Sequence, residues 1–261
     1  MTSLFEPDGD RLVPTELARG PWSPESLHGG PVAAVVARSV ERLAGDDGLT
    51  LTRLTLELLR PVTTGQLTVS SRVVRPGRRV QLVDTVVTQG GTEVTWGRSL
   101  RIRADPALPV PATALPEDDA PPGPASGRVL SPGPRDYTAF HNRGMEIRFV
   151  AGRFDGSGPA AAWFRLRHPV VAGEATSPVQ RAVAAADFGN GISAELDFRT
   201  DLFINPDLTV SLVRPPEGEW ICVDARTRFG APGIGAAESV LWDGRGRLGR
   251  AVQDLVVEVH R

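Results

Sequence analysis

A lone carboxylate inside an apolar run is costly to keep unless something uses it. Asp187 is one, set in Ala184-Ala185-Ala186-Asp187-Phe188-Gly189. Such a group can act as a general base or polarise a water. Equally, it can close a helix end and bond to local N–H groups. Gln253 stands between Ala251-Val252 and Leu255-Val256-Val257, where an amide buried in a strand needs a partner; the competing reading turns it outward. Asn205 precedes Pro206, a common way to open a turn, and its amide can also hold a water. The run His28-Gly29-Gly30-Pro31 leads directly into a helical pattern. Helix N-termini present unpaired N–H groups and partial positive charge, and Gly29 and Gly30 have no Cβ to hold a ligand away. They are candidate donors to an oxyanion, or they make the sharp turn into the helix. His28 can orient a carbonyl, act as an acid, or pin its loop. Trp22 can cover a site entrance or pack on the helix. The chemistry these groups suit is attack of water on a polarised carbonyl.

What positions them is a duplicated unit. Thr55-Leu56-Glu57-Leu58-Leu59-Arg60-Pro61 matches Thr209-Val210-Ser211-Leu212-Val213-Arg214-Pro215, and the offset of 154 then brings Arg72 onto Arg226 and Gly90 onto Gly244. Two copies of one unit fold as two modules and can share a site. In the first copy, Val32, Val35, Val36, Ser39, Val40 and Leu43 recur at helical spacing, with alanines between them. Small residues around most of the circumference suit a helix surrounded closely by other elements. Gly45-Asp46-Asp47-Gly48 ends it. Strands are expected over 51–59, 67–74, 80–88 and 94–103, with a hairpin turn at Gln89-Gly90-Gly91-Thr92. In the second copy, strands are expected over 145–149 and 161–167. Ser177 and Pro178 then start a helix running to Asp187, as N-cap and first helical residue. Further strands follow over 194–204, 209–213, 220–229, 238–242 and 247–259. Residues 104–135 hold nine prolines and read as an extended linker. The expected fold is α+β: a double hotdog of two tandem modules, 1–103 and 136–261, each a central helix wrapped by a curved antiparallel sheet. If the helices are aligned at Pro31 and Pro178, Val40 stands where the second copy has Asp187. Ser99 stands where it has Gln253. This predicts one working site per chain, with the helix start coming from one module and the acid and amide from the other.

Composition narrows the classes. A net charge of -2 and a pI near 6.1 give no nucleic-acid or polybasic membrane signature. The single cysteine, Cys222, excludes an internal disulfide and multi-cysteine metal sites, and its apolar surroundings predict a buried small hydrophobe. No apolar run reaches membrane-spanning length and the N-terminus lacks signal-peptide features, so a cytoplasmic protein is expected. His28, His141, His168 and His260 are scattered without metal-ligand spacing. There is no dinucleotide-binding glycine motif and no Gly-x-Ser-x-Gly elbow.

With the repeat, the linker and Phe203-Ile204-Asn205-Pro206-Asp207-Leu208-Thr209, the His28-Gly29-Gly30-Pro31 motif makes nearly the whole chain resemble the TesB-like acyl-CoA thioesterases. The resemblance implies hydrolysis of an acyl-CoA to free acid and CoA by direct water attack, with no covalent acyl-enzyme and no cofactor or metal. It implies a catalytic set drawn from the second module. The family's helix-end Asp falls on Asp187 and its last-strand Gln on Gln253. Its hydroxyl residue falls on Asn205, which departs from the pattern: an amide holds water but is no nucleophile. Beside these, the helix-start chemistry makes Gly29, Gly30 and His28 the candidate oxyanion and substrate contacts. For the phosphates of CoA, Arg60, Arg75, Arg78, Arg79, Arg214 and Arg228 are available and none is singled out. No nucleic-acid or membrane partner is expected, and a homodimer through exposed sheet edges is. One rival is a hydratase or dehydratase of acyl thioesters, disfavoured because no His follows Asp187 in the Phe188-Gly189-Asn190 loop. The other is a non-catalytic binder of acyl or hydrophobic ligands.

Overall fold

The computed structural model describes residues 2–44, 48–105, 107–109, 120–129, 137–154 and 156–259. The first module opens with a hairpin, β1 (Phe5–Asp8) and β2 (Arg11–Pro14), followed by α1 (Gly29–Ala44) and four strands: β3 (Leu49–Glu57), β4 (Leu67–Arg75), β5 (Val80–Gln89) and β6 (Thr92–Arg103). After the short β7 (Arg128–Val129), the same order recurs. The hairpin is β8 (Met145–Ala151) and β9 (Ala160–Leu166). Next come α2 (Pro178–Ala186) and a four-residue helix α3 (Gly189–Ile192). The strands β10 (Asp201–Ile204), β11 (Asp207–Leu212), β12 (Ile221–Ala231), β13 (Ile234–Asp243) and β14 (Gly246–Val259) complete the chain.

The described strands form one antiparallel sheet in the order β1-β2-β4-β5-β6-β3-β11-β14-β13-β12-β9-β8-β7, with β10 also on β14. The halves join where β3 pairs with β11, and Thr55 lies opposite Thr209. These two are equivalent in the repeat, and their hydroxyls meet at 3.3 Å. A two-fold pseudo-axis therefore passes between them.

Each half of the sheet packs on its own helix: α1 touches β3, β4 and β5, and α2 touches β9, β12 and β13. The alanines and valines of α1 from Val32 to Ala37 are at most 1% exposed, as are Ala182 to Ala186 of α2. Small side chains let the two helices approach each other inside the sheet. At the closest point, a Cβ on Gly30 would lie 2.5 Å from the Ala184 carbonyl oxygen. Inward-facing strand residues such as Leu54, Leu56, Val83, Val210 and Leu241 close the core, each worth about 1.5–3 kcal/mol relative to exposure. Cys222 is fully buried with Trp163 and Trp242 in a smaller cluster, and burial pushes its thiol well above the ordinary range.

Four expectations from the sequence need adjustment. Residues 1–20, expected to hold one short strand, hold two, and the first helix begins at Gly29 where Gly30 was expected. The linker contributes structure: residues 124–126 form a 3-10 turn, β7 pairs with β8, and the Trp163 indole donates to the Pro122 carbonyl at 2.7 Å. The expected strand 194–204 is strand only from Asp201. Asp197 captures the backbone N–H of Arg199 and its carbonyl takes that of Thr200, so a turn replaces the ladder. Finally, the edge at β1 is already covered, because Phe5 exchanges backbone bonds with Val170 and Ala172. The expected module start at Asp136, the helix stop at 45–47, His260 and much of the linker lie outside the described residues.

Candidate functional site

Two helix ends meet to build the site. Ser177 caps α2, accepting from the Gln180 N–H at 3.1 Å while donating to Glu41 of α1 at 2.7 Å. The alanine run then carries the helix inward to Asp187, its C-cap, which is 4% exposed. The carboxylate faces the first residue of α1: a Cβ on Gly29 would lie 2.7 and 2.8 Å from its two oxygens. Only glycine leaves room here, and the positive end of the α1 dipole faces the acid.

Three further side chains converge on the same carboxylate. Oδ1 accepts from Asn205 Nδ2 at 3.0 Å and from Gln253 Nε2 at 3.2 Å. Oδ2 lies 2.7 Å from Nδ1 of His28. The amide of Gln253 is oriented by the Asn190 N–H, which donates to its Oε1 at 3.1 Å. Asn205 spends its second hydrogen on the Asp207 carbonyl at 2.8 Å. Nδ1 of His28 is also 3.1 Å from the Gly30 N–H. One nitrogen cannot accept from an N–H and donate to a carboxylate at once. The shorter, charge-assisted contact is the stronger, so Nδ1 carries its proton toward Asp187. Beside the site, burial pushes the Asp207 carboxyl above its usual range, helped by the nearby charges of Asp254 and Glu57.

A cavity of about 340 Å³ opens onto this cluster. Its polar lining includes Asp187, Asn205, His28, Gly29, Asn190 and His141. Val32, Val62, Phe188, Phe198, Leu202, Ile204 and Val256 form apolar walls, with Arg60 and Leu59 at the exposed rim. Trp22 lines the wall and packs on Phe198 and Phe203, with ring centroids 5.3 and 5.1 Å away. Such a space suits a flexible apolar chain ending in one polar group.

The sequence-predicted residues thus gather around Asp187, with two distinctions. Gln253 is 1% exposed and lies behind the acid, outside the cavity lining. Gly30 is also outside it, with its N–H directed at His28 and its α-carbon packed on α2. The sequence reading missed Asn190, Phe154, Phe198 and His141. Phe198 fell within the stretch misread as strand, and no spacing marked the other three. No His follows Asp187 in the Phe188-Gly189-Asn190 loop, as expected, but His28 reaches the carboxylate from the residues before α1.

Two family models match the chain: the acyl-CoA thioesterase N-terminal domain over residues 18–102 and the C-terminal domain over residues 111–257. No curated protein matches it by sequence. Among solved structures, a candidate thioesterase II from Thermobifida fusca is 22% identical, with 97% of this chain and 94% of that one covered and a TM-score of 0.74. A hot dog protein of unknown function from Alicyclobacillus acidocaldarius is 16% identical, covering 98% and 96%, with a TM-score of 0.73. An acyl-CoA thioesterase II from Mycobacterium marinum is 16% identical, covering 90% of each chain, with a TM-score of 0.63. At these identities the structural likeness speaks for the fold alone, and the fold is the hot dog.

Proposed function

Because this chain belongs to the acyl-CoA thioesterase family, we propose that it hydrolyses acyl-CoA in the cavity beside Asp187, by direct attack of water. The observation that carries this reading is a buried carboxylate held at one oxygen by two amides, with the cavity in front of it. Oδ1 is filled by Asn205 and Gln253. Oδ2 has one lone pair for His28 and one for a water. Asn205 has committed both amide hydrogens, so it offers a water its carbonyl oxygen. A water donating to both acceptors keeps a lone pair for the thioester carbon. The oxygen–carbon bond forms as Asp187 takes the proton. The carbon–sulfur bond then breaks, and the thiolate of CoA leaves and regains a proton.

Gly29 has no intrahelical acceptor for its N–H; we assign it to the developing oxyanion, where one such donor is worth roughly 3 kcal/mol. Gln253 and His28 are positioning residues that fix the carboxylate. We read the whole as a double hotdog, with modules at 1–103 and 136–261 joined by 104–135. The repeated order of hairpin, helix and strands supports that reading. A homodimer would form through the sheet faces or β7, because β1 is covered. The cytoplasm, where acyl-CoA is made and used, is the compartment implied. No described helix is long and apolar enough to cross a membrane.

One observation favours a second reading. The His28–Asp187 pair at 2.7 Å is an acid–base pair that could hydrate an unsaturated acyl thioester. Loss of enoyl absorbance without thiol release would identify it.

Asp187→Asn keeps the size and an oxygen for the two amides, turns an NH2 group toward His28, whose ring must then present a bare Nδ1, and removes the base. It is expected to lower kcat for acyl-CoA by about 10³-fold with little change in melting temperature. A single turnover in ¹⁸O-water, with enzyme in excess, should label the released acid and leave the protein unlabelled. Label in Asp187 would mean a covalent anhydride and would overturn direct attack.

A further inference from the structure

We propose that Arg60 holds the phosphates of CoA at the cavity mouth, an inference that rests on acyl-CoA being the substrate. Arg60 and Arg214 are equivalent in the repeat, yet they have different fates. Arg214 forms two 2.6 Å bonds with Asp243, whose carboxylate also accepts the backbone N–H groups of Glu217 and Arg245. It is locked. The residue equivalent to Asp243 in the first module is Gln89, which has no charge to offer. Its amide is used on the Thr63 N–H and carbonyl and on the Gly65 carbonyl, closing the same turn without an ion pair. Arg60 therefore has no counterpart of Asp243 to pair with, and among the described residues its guanidinium has no ion pair.

Its position gives that unpaired charge a use. Arg60 is exposed at the rim of the cavity whose floor holds Asp187. With the thioester at Asp187, the pantetheine arm runs outward and delivers the CoA phosphates to the mouth. A cation at the mouth meets them; one on the floor would not. A guanidinium fork fits phosphate oxygens two at a time. None of the other candidate arginines lines this cavity. Arg228 is paired with Glu238, and Arg75 reaches the Val80 carbonyl.

Calorimetric titration of the full chain with CoA tests this, with Arg228→Glu as a control for charge reversal away from the cavity. Arg60→Glu is expected to weaken CoA binding about tenfold, and more at low than at high salt. Arg228→Glu is expected to leave it unchanged. In turnover, Arg60→Glu should raise KM for an acyl-CoA while leaving kcat, and leave KM for the matching acyl-pantetheine, which lacks phosphates. Unaltered CoA affinity in Arg60→Glu, or an equal loss in both variants, overturns the proposal. Normal CoA binding without hydrolysis by the wild-type chain would instead overturn the thioesterase mechanism and leave the Arg60 result standing.

Discussion

The Oδ1 atom of Asp187 takes two amide hydrogens, so the carboxylate cannot rotate without breaking both. That makes the neighbours of Asn205 part of the site, including Asp207, whose carbonyl anchors it. Burial raises the Asp207 carboxyl in the folded state, with Asp254 and Glu57 adding repulsion. The folded protein thus binds that proton more tightly than the unfolded chain does. Stability is lost as pH rises through the interval between the two values, and ionised Asp207 is a net cost at neutral pH. Asp207→Asn keeps an oxygen for the Asp254 N–H and removes the charge. Its melting temperature should rise by about 1–3 °C near pH 7 and not at about pH 3, below the unfolded carboxyl. Scanning calorimetry at the two pH values decides it; an equal gain at both would point to packing instead. The acid, the strand amide and the asparagine were legible from residue type and family likeness. The partner that His28 provides was not, because its contact with Asp187 joins positions that no local pattern links.

The helix starting at Gly29 and the helix ending at Ala186 approach so closely that Gly29 and Gly30, both on the first, divide two duties. A Cβ on Gly30 would meet the Ala184 backbone oxygen at 2.5 Å and Phe140 at 3.0 Å, neither free to move. Gly30→Ala should therefore destabilise the fold by about 1–3 kcal/mol, as overpacking does. A Cβ on Gly29 meets only the tip of Asp187. Gly29→Ala pushes that carboxylate off its amide bonds, so it should cost less stability than Gly30→Ala but lose about 10²-fold in kcat. Measuring melting temperature and kcat for both variants checks the division, and a reversed pattern would refute it. The start of α2 was readable, because Ser177 and Pro178 act at the chain level. The span 194–204 was not. In its first part, before β10, Phe198 serves the cavity wall and not a sheet core, so alternation there carried no strand information. Asp197 decided the backbone instead.

Across the whole molecule, the halves are bound at several levels. Strands β3 and β11 share a ladder, α1 packs on α2, Arg38 and Glu174 form a bidentate pair, and Phe5 joins the backbone at 170–172. Arg38 holds the Glu174 carboxyl below the usual range, so this link persists at neutral pH and is lost as acid protonates it. A single calorimetric transition with matching van't Hoff and measured enthalpies is expected; two resolved transitions would show that the modules melt apart. The pairing of Thr55 with Thr209 has a consequence for descent. A strand that pairs with its own copy about a two-fold axis is how two identical subunits would dock, so the chain reads as an ancestral dimer tied into one polypeptide. By the same two-fold relation the places corresponding to Asp187 and Gln253 hold Val40 and Ser99, which offer neither an acid nor an amide, so the duplicated frame carries the catalytic groups on one side only.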